Sequence, residues 1–134
     1  MSGQSILEQD DYTFIHQGLK PETNRSKRGK EGVAIVLSKE ALKAWNATGK
    51  TLLNEFGSRI LAIRLACKDL RDNDICIFLI SAYAPVSAAK DTVWKNFLSN
   101  LENCIRRKPK DDILLIGCDC NSSLGICYER RPEH

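Results

Sequence analysis

The chain has 134 residues and a formal net charge of +3, with 43% hydrophobic and 28% charged residues. That length suits one domain, 1–134, and leaves no room for two; a chain of this size buries about 70% of the surface its unfolded form exposes. The balance excludes a disordered or fibrous chain, no run approaches the roughly 18–20 apolar residues of a membrane span, and the charge is too mild to argue for nucleic acid by itself.

Residues 1–19 are weakly patterned, with Tyr12–Ile15 readable as a short edge strand. No basic start followed by an apolar run marks a signal peptide. Of the six cysteines, four sit in apolar runs, where cysteine behaves as a small hydrophobe. Together these predict an intracellular, reduced protein, nuclear or cytoplasmic. Residues 20–30 are polar and basic and predict a loop that carries Arg25, Lys27, Arg28 and Lys30. Gly32–Leu37 is a short apolar run and predicts a buried strand. Ser38 then suits the N-cap of a short helix through Trp45.

Ser58–Ala66 predicts a second strand and Ile75–Ala82 a third. The Asp- and Asn-rich stretch Lys68–Asp74 between them suits the turn of an antiparallel hairpin. Ser87–Lys108 gives the clearest helical pattern. Val93, Phe97, Leu101 and Ile105 recur every four residues beside Trp94 and Leu98, and Pro109 ends the run. Ile113–Ile116 predicts a fourth strand. Strand, helix and strand over 75–117 imply a parallel crossover, and uniformly apolar strands imply a sheet covered on both faces. The fold class is α/β, or α+β with a mixed sheet.

Polar residues gather where two of these strands end. Tyr83 closes the third strand; Asp119 and Asn121 close the fourth. In open α/β sheets, sites form outside the carboxyl ends of strands. Asp119 and Asn121 are two apart and share a face of an extended chain; Cys118 and Cys120 then point the other way, into the core. A carboxylate can orient or deprotonate water, an amide can hold a phosphoryl oxygen, and a tyrosine hydroxyl can donate to charge on phosphate. The plain alternative is a turn, which Asp-x-Asn-Ser-Ser after a strand also suits.

The run Ile80-Ser-Ala-Tyr83-Ala-Pro85, the helix behind it, and Ile113-Leu-Leu-Ile-Gly-Cys-Asp119-Cys-Asn121-Ser-Ser-Leu-Gly125 resemble the core of the endonuclease/exonuclease/phosphatase superfamily. The retrotransposon branch, near the apurinic/apyrimidinic type, is the most similar, over 12–125. The resemblance implies part of an α/β sandwich from a magnesium-dependent DNA endonuclease. It implies that Tyr83 contacts the scissile phosphate, Asp119 positions or activates water, and Asn121 binds the phosphate. Cysteine stands before Asp119 where such sequences have glycine, and Cys120 stands where they have an aromatic residue. The strand ending in a metal-binding glutamate and the late Ser-Asp-His motif are missing, so the expectation is a domain truncated at both ends and inactive by itself. The alternatives are a non-catalytic remnant, binding nucleic acid through the basic loop or without a selected function, and a phosphatase-type relative acting on a small phosphorylated substrate.

Other candidates carry less. Cys118, Cys120, Cys127 and His134 could hold zinc, but their spacing matches no usual finger pattern, so no metal ligand is assigned and Cys118 and Cys120 are expected as buried thiols. His16 and His134 read as solvated. Arg106, Arg107 and Lys108 suit the end of a helix macrodipole. Arg59, at the start of a strand, reads equally as structural or phosphate-facing.

Overall fold

A computed structural model describes residues 2–9, 11–19 and 32–120. Three strands come first: β1 (Ser2–Gln9), β2 (Tyr12–Leu19) and β3 (Val33–Leu37), paired antiparallel in the order β1-β2-β3. β2 is therefore a central strand of eight residues rather than a short edge. Its inward face is Thr13, Ile15 and Gln17, all buried. Two polar residues in three hide the alternation that would mark a buried face. Gln17 is accommodated because its amide donates to Gly57 O at 3.0 Å and Ile60 O at 2.9 Å.

β3 buries Val33, Ile35 and Leu37 and exposes the residues between. Ser38 Oγ accepts from Ala41 N at 3.1 Å and caps α1 (Lys39–Asn46), as its sequence position predicts. Trp45 is 1% exposed, and its indole donates to Thr51 O at 2.8 Å. Gly49 at φ 79° and Lys50 at φ 57° turn the chain out of this helix. The two-residue strand β4 (Leu52–Leu53) that follows is too short to leave a pattern in the sequence.

The second sheet has the order β4-β5-β6-β7. β5 (Ile60–Lys68) and β6 (Asp74–Tyr83) form the expected antiparallel hairpin. Its turn is held by Asp69 Oδ1, which accepts from Arg71 N at 2.8 Å and Asn73 N at 2.9 Å. The backbone N–H of Asn73, above all, holds the Asp69 carboxyl below its ordinary pKa. α2 (Asp91–Arg106) connects β6 to β7 (Ile113–Asp119), and those two strands are parallel as the crossover predicts.

Two expectations about this half are corrected. α2 begins at Asp91 rather than Ser87, because a turn closed by Ala89 N donating to Val86 O at 3.0 Å comes first. Its buried stripe is Phe97 and Cys104, with Trp94, Leu101 and Ile105 packed beside them; Val93 and Leu98 are exposed. Second, the four-stranded sheet is not covered along its whole width. Every residue of β7 is exposed, including Ile113, Leu114, Leu115 and Ile116 at 37–54%. β7 is the end strand among the described residues, and the three-stranded sheet lies over β5 and β6 instead.

The result is an α+β sandwich of three layers. One core joins Ile15, Ile35, Leu37 and Trp45 to Leu61 and Ile63 between the two sheets. The other joins Ile60, Ala62, Phe78, Ile80 and Ala82 to Phe97 and Cys104 of α2. No described helix is long and apolar enough to cross a membrane.

Candidate functional site

The parallel register pairs Ile77 with Ile113 and ends by pairing Tyr83 with Asp119. These two residues thus stand side by side at the carboxyl ends of neighbouring strands, the placement their sequence positions predict. In-register partners share a face of the sheet. Tyr83 packs into the core between the sheets, so Asp119 lies on the side of β6 and β7 that faces β1–β3. Ala84 N donates to Asp119 O at 2.9 Å, which carries the pairing one step beyond Tyr83.

Tyr83 is held from its other side by Arg59. Tyr83 N donates to Arg59 O at 3.0 Å, and Arg59 Nη1 donates back to Tyr83 O at 3.2 Å. The guanidinium carbon lies 5.5 Å from the centre of the Tyr83 ring, within range of a cation–π contact. Arg59, just before β5, thus stands beside Tyr83 at the end of β6, which in turn pairs with Asp119 at the end of β7. Arg59 also lies on the wall of a cavity of about 250 Å³, with Phe56, Gly57, Ser58, Ile60, Val93, Asn96, Phe97 and Asn100. The Gln17 amide, bonded to Gly57 O and Ile60 O, fixes the backbone on both sides of Arg59. Gln17 Oε1 is buried without a hydrogen-bond partner.

The expected burial of Cys118 and Cys120 is overturned, since both are exposed. They lie on the α2 side of β7, as the alternation requires, but the layer beside that strand does not cover them. Partial desolvation of the Cys118 thiol, and then the neighbouring Cys120 thiol, push its pKa up to about 11. At neutral pH it is a protonated thiol and a poor nucleophile. The Cys120 sulfur is 4.0 Å from Cys118 O. Among the described residues, no group of three or more His, Cys, Asp or Glu side chains could hold a metal ion.

Asn121, the basic residues Arg25, Lys27, Arg28 and Lys30, and Cys127 and His134 lie outside the described residues. His16 is exposed on β2. Arg106 pairs with Glu102 at 2.9 Å and Arg107 with Glu55 at 2.7 Å, while Lys108 donates to Asp112 O at 2.8 Å. The basic end of α2 is thus engaged in local contacts.

Sequence reasoning missed the most buried ion pair among the described residues. Arg64 Nε and Nη2 donate to the Asp112 carboxylate at 2.7 and 2.8 Å. The hydrogen bond to Asp112, first, raises Arg64 above its already high ordinary pKa. The signals were an arginine inside the apolar β5 run and an aspartate just before β7. This pair borders a larger cavity of about 640 Å³ at the opposite end of the sheet from Tyr83. There Arg64 is matched by Asp112 and Lys68 by Asp74 at 2.9 Å, so the charges neutralise one another. The smaller cavity lies between α2 and the residues leading into β5, on the α2 face of the sheet, and neither Tyr83 nor Asp119 lines it. Comparison with models of protein families, with curated proteins and with solved structures finds no match to this chain.

Proposed function

We propose that this chain carries the phosphate-facing strand pair of a DNA endonuclease of the endonuclease/exonuclease/phosphatase type, and that the 134 residues by themselves turn over little or no substrate. The observation that supports this reading is the register pairing of Tyr83 with Asp119 at the carboxyl ends of parallel β6 and β7. A carboxylate and a phenol held on adjacent strands suit hydrolysis of a phosphodiester. Asp119 orients or deprotonates the attacking water, and the Tyr83 hydroxyl donates to a phosphoryl oxygen as charge develops there. In this reading Asn121 adds an amide to the same oxygens, and the basic residues Arg25, Lys27, Arg28 and Lys30 neutralise DNA phosphates away from the reaction.

The magnesium implied by the resemblance does not fit the described residues. Asp119 is a single carboxylate, and no third acidic, thiol or imidazole group completes a set around it. The sequence also has no Ser-Asp-His run to supply a late histidine. Each proton-transfer role of that kind contributes about 10²–10⁴-fold. A chain lacking it, with no metal-holding group of three His, Cys, Asp or Glu side chains among the described residues, works near the limit of detection.

The test is nicking of supercoiled plasmid in magnesium by this chain and by Asp119→Ala. The expected result is the same faint background for both. Magnesium-dependent nicking that disappears in Asp119→Ala would show that the chain contains a complete site. Failure of the chain to bind DNA even at low salt would remove the nuclease reading altogether.

A further inference from the structure

We propose that the cavity of about 250 Å³ between α2 and the residues leading into β5 is a pocket for a single unpaired nucleobase, whose polar edge is read by the carboxamides of Asn96 and Asn100. The inference does not rest on the nuclease reading. The pocket lies on the α2 face of the sheet, away from Tyr83 and Asp119, and it takes a base rather than a phosphate.

The helix sets out the lining. Val93, Asn96, Phe97 and Asn100 have the spacing that keeps to one face of a helix, so two carboxamides alternate there with two apolar side chains. Phe56 and Ile60 add apolar wall from the chain leading into β5. Arg107 bonds Glu55 at 2.7 Å and lies 5.5 Å from the Phe56 ring centre, which holds that ring in place. Gly57, at φ 90°, leaves the Asn100 amide open, since a Cβ at that position would stand 3.2 Å from Asn100 Nδ2.

Chemistry narrows the ligand. Asn100 is half-buried and Asn96 exposed, and among the described residues no hydrogen bond engages either carboxamide. Each offers two N–H donors and an acceptor oxygen. Cβ atoms four residues apart on a helix lie about 5–6 Å from each other, so both groups reach neighbouring positions on one molecule. A wholly apolar ligand would strip water from both amides and return nothing. An ion finds no counter-charge, because Arg59, the only charged residue in the lining among the described residues, is engaged with Tyr83. A nucleobase suits both parts of the lining. Its flat faces pack on apolar and aromatic walls, and its edge carries the donors and acceptors that asparagine pairs with. That edge and those faces are free only when the base is out of a duplex stack. The volume is below the roughly 300–1,000 Å³ of sites for drug-sized ligands, so the ring enters while sugar and phosphate stay outside.

The test is titration of the nitrogen-15-labelled full chain with each of the four deoxynucleosides, followed by NMR at the side-chain amides of Asn96 and Asn100. Nucleosides carry no phosphate, so the result is independent of any contact made by Tyr83 or Asp119. At least one nucleoside should shift both amides to saturation. Asn100→Ala, read at Asn96, should weaken that binding by about tenfold, the loss of one hydrogen-bonding group. Val93→Trp should abolish it by filling the cavity from a position that is 37% exposed and so tolerates a larger side chain. Circular dichroism checks that each variant folds, and if Val93→Trp does not, Asn100→Ala carries the comparison. A second arm uses a single-stranded oligonucleotide and the matching duplex. Tighter binding of the single strand than of the nucleoside, lost in Val93→Trp, assigns the base to a nucleic-acid strand; no gain over the nucleoside assigns the pocket to a free nucleoside. Absence of any shift at Asn96 and Asn100 up to the solubility limit of all four nucleosides overturns the proposal. So do shifts that persist unchanged in folded Val93→Trp or in Asn100→Ala. Nucleoside binding without any duplex binding at low salt removes the nuclease reading and leaves the pocket standing.

Discussion

Replacing Asp112 by alanine should destabilise the fold by about 3 kcal/mol, a large part of the roughly 5–15 kcal/mol that holds an ordinary domain folded. The Asp112 side chain is 4% exposed, and Arg64 grips both of its oxygens at 2.7 and 2.8 Å. Hydrogen bonds to charged groups contribute about 1.5–3 kcal/mol each, and removing one partner of a buried pair costs about 3–5 kcal/mol. Arg64 retains 28% side-chain exposure, so water reaches the guanidinium after truncation and the lower end applies. The pair also spans β6, joining β5 to the residue that leads into β7, so its loss loosens two strand pairings together. Urea denaturation of wild type, Asp112→Ala and the double variant Arg64→Met/Asp112→Leu measures this. The melting temperature of Asp112→Ala should drop by about 10 °C. The double variant should recover most of the loss, because apolar groups of similar volume replace a buried pair at little cost. A loss below about 1 kcal/mol in Asp112→Ala would refute the reasoning, since that is the range of a solvent-exposed pair.

Gln17→Met should destabilise by about 2 kcal/mol, because the buried Ile60 O and the part-buried Gly57 O lose their donor; relief of the orphaned Oε1 offsets part of this, and a neutral result by chemical denaturation would refute the bridging role. Asp69 has its pKa lowered by folding, so its contribution is present above the ordinary aspartate value and is lost as pH falls through the folded one. Asp69→Asn should therefore remove part of the acid limb of the stability profile and leave the slope near neutral pH unchanged, as read by melting temperature from pH 2 to pH 7. Cys118 should react with a thiol reagent at a rate that climbs with pH toward about 11, and the chain purified at neutral pH should contain no stoichiometric zinc. Zinc at one equivalent, lost on Cys118→Ser, would reverse that assignment.

The crossover over β6, α2 and β7 was legible because each part carries a single strong signal. Two apolar runs flank a helix with a four-residue repeat. The hairpin of β5 and β6 was legible from its Asp-rich turn. Its register was readable too: counting outward in step from Lys68 and Asp74 arrives at Arg59 opposite Tyr83. That count would have settled the neighbour of Arg59 from sequence alone. β1 was not legible, because Ser2–Gln9 has no alternation of apolar and polar residues. β2 was shortened because Thr13 and Gln17 occupy inward positions that pattern reading reserves for hydrophobes. Cys118 and Cys120 were placed correctly on one side of β7 but assigned the wrong environment. Alternation fixes the side, while coverage depends on whether another layer extends that far, and no local pattern encodes this.

β7 sets the order in which the Tyr83–Asp119 pair comes together and comes apart. β5 and β6 meet across a turn of five residues, Asp69–Asn73, whereas β6 and β7 pair only after the whole of α2 has been laid down between them. Contacts that close a long loop form late, because the chain loses its freedom before the pairing rewards it. Every residue of that strand is exposed, and segments with few buried apolar contacts open at lower free energy than the core. Asp119 is therefore delivered last to a Tyr83 already fixed by Arg59, and it is the first to leave. Amide exchange along β7 should run ahead of exchange along β5, and the fraction of molecules holding the pair intact will be smaller than the fraction folded.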